Sequence, residues 1–117
     1  MPTGRDRAAQ NYTRYEPLAE AAARYAEGKY EAALQLASTP ALAKTPLAGY
    51  ATYYRGLAQL RLLRTADARR TLDALLERKP TGALRLSAYL AAGEAAEAAT
   101  DHRAALAIYE RLAADKA

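Results

Sequence analysis

The sequence predicts an all-α fold, and three observations predict it. Ala, Leu, Arg and Glu, all strong helix formers, dominate the 117 residues, while Val is absent and Ile occurs once, at Ile108. A sheet needs β-branched and aromatic residues, and here Phe and Trp are also missing, so Tyr supplies all the aromatic bulk. Helix-breaking residues fall between the helical runs, at Gly28, Pro40, Pro46, Pro80 and Gly82. Small residues recur inside the runs at one fixed spacing, which marks an internal repeat.

The elements follow in order. Residues 1–13 are polar and unpatterned and read as a flexible lead-in. Pro17 suits the first turn of a helix, which then runs to Glu27. Gly28 breaks it, and a second helix spans about 30–38. The stretch TPALAKTP, with two prolines, reads as a connection holding one helical turn. A third helix covers about 47–63. Thr65 is a candidate N-cap for a fourth, about 66–78, which Pro80 and Gly82 end. A fifth covers about 83–99, and Thr100 or Asp101 caps a sixth reaching Ala114. Six helices with tight turns predict three antiparallel pairs.

The pairs align on their small residues. Gly56 stands twelve residues before Ala68 and Ala68 twelve before Pro80; Gly93 precedes Ala105, and Ala21 precedes Ala33, by the same interval. Four residues beyond each second marker lie Ala37, Leu72 and Tyr109. Glycine inside a helix costs about 1 kcal/mol relative to alanine, so Gly56 and Gly93 need a reason. Close approach of two helices supplies one: Gly56, Ala68, Gly93 and Ala105 are expected where the backbones cross. A phosphate-binding glycine loop does not fit, because YYRGLAQ has no second glycine and opens no helix.

With L-G and an aromatic in one helix, A-x3 and a bulky residue in the next, then Pro, the chain resembles the tetratricopeptide repeat family. The second unit carries the likeness best, at Gly56, Ala68, Leu72 and Pro80; the third carries it at Gly93, Ala105 and Tyr109, with Ala117 in the place of Pro. The first unit is degenerate, with Ala21, Ala33, Ala37 and a late Pro46. Arg55, Gln59 and Leu63 depart from the pattern's Leu, aromatic and turn glycine. The resemblance implies an α-solenoid of three helix-turn-helix pairs, a right-handed superhelix segment, with units at about 14–46, 49–82 and 86–117. It also implies a concave groove for a protein or peptide partner. On this chain its lining residues include Tyr15, Tyr25, Tyr50, Tyr53, Leu57, Arg61, Glu94 and Glu97. A core role for Tyr50, Tyr53 and Tyr54 is the competing reading, since no other aromatics exist to fill the interior.

A narrower likeness lies in residues 45–80 and 92–114, which resemble the superhelical scaffold region of bacterial soluble lytic transglycosylases. Nothing in the chain matches the catalytic domain of those enzymes, so the likeness implies scaffold alone and a periplasmic place. Otherwise the lack of a signal-like hydrophobic region implies the cytoplasm. No apolar run reaches the roughly 20 residues of a membrane span.

Catalysis, metals and cofactors find no residue set. Glu94 and Glu97 share a helix face but have alanine neighbours and read as solvated. His102 is the single histidine and there is no Cys, which leaves no zinc set, and neither Ser38 nor Ser87 is placed to complete a triad. The charge is uneven: residues 55–85 hold eight basic and three acidic side chains, a net of +5. That stretch reads as an Arg-rich solvated face, with attraction of an anionic partner as the alternative. Nucleic acid is the weaker partner reading, since no nucleic-acid motif accompanies the charge. The last helix places Ala105, Ile108, Tyr109 and Leu112 on one stripe and Leu106 off it. No capping helix follows in the sequence, so the reading expects either a continuing solenoid or pairing with a second copy.

Overall fold

The computed structural model describes residues 4–114, the side chains of residues 5–7 and 9–11 excepted. All regular structure among them is helical: α1 (Gly4–Ala26), α2 (Tyr30–Ala37), a 3-10 helix (Pro40–Lys44), α3 (Ala48–Arg61), α4 (Thr65–Glu77), α5 (Gly82–Ala98) and α6 (His102–Ala114). Each helix packs on the next in the chain, and α1 touches α3 as α3 touches α5. The molecule measures 54 × 35 × 21 Å with a radius of gyration of 15.5 Å. A sphere-like domain of this length would have about 13 Å, so the molecule is elongated.

Two helix starts differ from the reading of the sequence: Thr65 is the first residue of α4, with Arg64 at the N-cap position, and α1 begins early. Helix α1 starts at Gly4, so most of the stretch 1–13 is helical and Pro17 lies in a helix interior. Arg, Ala and Gln carry helix propensity without apolar periodicity, which is why the segment reads as unpatterned. The position equated with the repeat's last Pro, Ala117, lies outside the described residues.

The predicted crossing residues are buried: Ala21, Ala33, Ala37, Ala68 and Ala105 are at most 3% exposed. Gly56 and Gly93 are buried as well. A Cβ placed on Gly56 would stand 2.5 Å from Cδ2 and 2.6 Å from Cγ of Leu72; one on Gly93 would meet the ring of Tyr109. The two glycines therefore do one job, each giving way to the bulky residue sixteen positions on. Gln59, out of place in an apolar pattern, is accounted for by a hydrogen bond: the Thr71 hydroxyl donates to its Oε1 at 2.7 Å.

The turns repeat as the crossings do. Gly28, Leu63 and Thr100 all have left-handed backbone, with φ of 78°, 62° and 59°. In each, the next amide reaches back five residues: Lys29 to the Arg24 carbonyl, Arg64 to Gln59 and Asp101 to Ala96, all at 2.9 Å. This is the Schellman closure, which satisfies carbonyls left open at a helix end. Glycine accepts such a φ freely, whereas a residue with a Cβ is strained by roughly 1 kcal/mol. Leu63 is 85% exposed, so its side chain gains nothing in compensation. Leu63→Gly is expected to raise stability by about 0.5–1 kcal/mol. A thermal melt with an unchanged or lower midpoint would contradict this.

Candidate interaction cleft

A cleft of about 240 Å³ opens between α1, α3 and α5, lined by Tyr25, Tyr53, Leu57, Arg61, Ser87, Leu90, Ala91 and Glu94. Each helix contributes from one stripe. Tyr53, Leu57 and Arg61 recur every fourth residue of α3, and Ser87, Leu90, Ala91 and Glu94 follow the three-and-four spacing of one α5 face.

Arg61 holds the three helices together at the rim. Its Nη1 donates to Glu94 Oε1 at 2.7 Å and its Nε to the Tyr25 hydroxyl at 3.0 Å. The hydrogen bond to Glu94, and after it that to Tyr25, raises the guanidinium pKa still further above its ordinary value. Both ends of the pair are exposed to solvent, 37% and 44%, so the pair fixes geometry more than it stabilises. Deeper in, Tyr53 is half-buried and packs on the main core. Tyr54 meets the rings of both Tyr53 and Tyr25 edge-on, with centroids 5.3 and 5.9 Å away. Burial pushes the Tyr53 hydroxyl pKa up, while a hydrogen bond with Ser87 pulls it the other way. Leu90 is 49% exposed at the opposite wall. The surface thus combines rigid aromatic faces, exposed leucine and a fixed charge pair.

Five of the groove residues expected from the sequence meet here: Tyr25, Tyr53, Leu57, Arg61 and Glu94. Three do not line it. Tyr15 sits ten residues before Tyr25 on α1, beneath the Arg14 guanidinium, 5.4 Å from its ring centroid. Tyr50 lies at the start of α3, 38% exposed. Glu97 accepts a hydrogen bond from the Tyr109 hydroxyl at 3.2 Å, and so belongs to the contact between α5 and α6. Of the aromatic residues weighed between core and groove, Tyr53 serves both. His102, the single histidine, is exposed as the first residue of α6. Its neighbour Asp101 is the cap: its Oδ1 accepts the Ala104 amide at 3.1 Å. That bond, aided by Arg69, lowers the Asp101 pKa.

The basic middle of the chain is largely neutralised by its own neighbours. Arg61 pairs with Glu94, Arg64 with Glu31 at 2.9 Å, Arg69 with Asp101 at 3.3 Å, and Arg70 with Asp67. Three of these pairs join residues 61–69 to residues outside α3 and α4, so the charge asymmetry of the sequence becomes contact between distant parts of the chain. Among the described residues no helix is long and apolar enough to cross a membrane. Searches against protein-family models, curated proteins and solved structures return no match.

Proposed function

We propose that the chain is a non-catalytic scaffold of tetratricopeptide type, which holds a peptide segment of a partner protein in the α1–α3–α5 cleft. In this reading the three helix pairs are antiparallel and stack as a right-handed α-solenoid. The repeated turns at Gly28, Leu63 and Thr100, the repeated glycine crossings and the elongated shape support it. The carrying observation is the convergence of Tyr53, Leu57, Leu90 and the Arg61–Glu94 pair on one cleft from alternate helices. Tyrosine offers large contact area with few rotamers to freeze, which suits a binding anchor. The open leucine and the fixed charge pair give an extended peptide both an apolar seat and a polar register.

Selection of a random peptide-display library on the protein tests the reading. Enriched peptides are expected to lose tenfold or more in affinity on Leu90→Glu, whose site is solvent-facing and tolerates the change in fold. Tyr53→Ala should cost about 1–3 kcal/mol of binding. Peptides that bind Leu90→Glu as well as wild type would place recognition elsewhere.

A further inference from the structure

We propose a second, separate site: the cavity enclosed by the end of α2, the 3-10 helix, α3 and the end of α4 binds a small phosphomonoester through Arg55 and Arg78. Charge bookkeeping leads to it. Of the eight basic side chains in residues 55–85, four stand in ion pairs and Arg85 lies over the Tyr89 ring, 4.9 Å from its centroid. Arg55, Arg78 and Lys79 have no ion pair among the described residues. Two of these three line the same cavity, of about 300 Å³, and no carboxylate lines it.

The rest of the lining says what else the ligand meets. Ala37, Ala48, Ala74 and Pro40 make walls that are small and apolar. The hydroxyls of Thr52, Ser38 and Thr39 donate to helix carbonyls, at 3.1, 2.7 and 2.7 Å. They have no proton left for an anion, so recognition falls to the two guanidinia. A guanidinium fork matches a phosphoryl group edge to edge. A phosphomonoester carries between one and a half and two negative charges at neutral pH, roughly what two arginines balance. A monocarboxylate would leave one of them unmatched. The volume is that of about ten waters, at the small end of ligand sites. A phosphoryl group with one compact apolar substituent against the alanine wall fits that space.

Titration of the full chain with phenyl phosphate, benzoate and inorganic phosphate, followed by NMR, tests the proposal. Phenyl phosphate should give saturable shifts at the amides of Thr39, Ala51, Thr52 and Ala74 and at the side-chain Nε–H of Arg55 and Arg78. Arg55→Gln and Arg78→Gln should each weaken it tenfold or more, and Arg103→Gln, on α6, which gives the cavity no lining residue, should not. Should Arg55→Gln disturb helicity, Arg78→Gln, at the exposed end of α4, decides alone. Unsaturable shifts spread over every surface arginine, or unchanged affinity in both variants, would overturn the site. Benzoate binding as tightly as phenyl phosphate would overturn its phosphoryl selectivity.

Discussion

Gly56→Leu is expected to destabilise the protein by about 3 kcal/mol, the upper range for overpacking a filled interior, and to lower Tm by roughly 10 °C. Even a single methyl has nowhere to go. The added Cβ would lie 2.5 and 2.6 Å from Cδ2 and Cγ of Leu72, a side chain with no exposure at all. A terminal methyl can swing aside, but Cγ cannot move without shifting α4. Gly56→Ala gains about 1 kcal/mol in helix propensity and still should come out destabilising, by about 1 kcal/mol. Leu72→Ala alone opens a cavity costing about 2–5 kcal/mol. Combined with Gly56→Ala it should cost less than the sum of the two, by about 1 kcal/mol, because the new methyl enters the space the leucine vacates. Gly93→Ala should be gentler, since the ring it meets, Tyr109, is only partly buried and can swing outward. Equal melting temperatures for wild type and Gly56→Leu would refute the crossing.

These glycines also mark what was legible in the sequence. A glycine in a run of helix formers contradicts local propensity, and the contradiction is resolved by a neighbour sixteen residues away. The helix ends at Gly28, Pro80 and Gly82 were readable for the same reason: such residues have few alternatives. Leu63 and Thr100 were not readable as left-handed turn residues, because both types avoid that conformation and only the fold imposes it. Helical spacing carried over from a family pattern grouped Tyr25, Tyr53, Leu57, Arg61 and Glu94, and the five line one cleft. Tyr50 lies outside that opening, about one turn before Tyr53 near the start of α3. Glu97 lies outside it too and receives the Tyr109 hydroxyl, a use within one pair of helices that spacing alone does not signal. The cavity beside Arg55 and Arg78 left no trace in the sequence. Its walls are alanines, and alanine in a helix signals propensity rather than the space it leaves beside it.

Leu42→Ala is expected to cost about 2–5 kcal/mol and, unlike the changes at Gly56, to loosen one end of the molecule before the other. The interior is divided unevenly. One large cluster runs from Leu57 through Leu72, Leu75 and Tyr89 to Leu112, joining α3 to α6. A small one, Leu18, Leu42 and Ala51, anchors α1 and the 3-10 helix onto α3. Leu42 is 1% exposed and is the largest fully buried side chain of that small cluster. The crossing of α1 with α2 buries mainly alanines, Ala21, Ala33 and Ala37, each with little apolar area to lose to water. The Thr45 hydroxyl fixes the loop by donating to the Leu42 carbonyl at 2.8 Å, so truncating Leu42 also frees the segment that leads into α3. Hydrogen exchange should therefore speed up across α1 and α2 in Leu42→Ala while the amides of α4 and α5 keep their protection. Uniform loss of protection along all six helices would mean that the stack unfolds as one cooperative unit, and that the small cluster is energetically part of the large one.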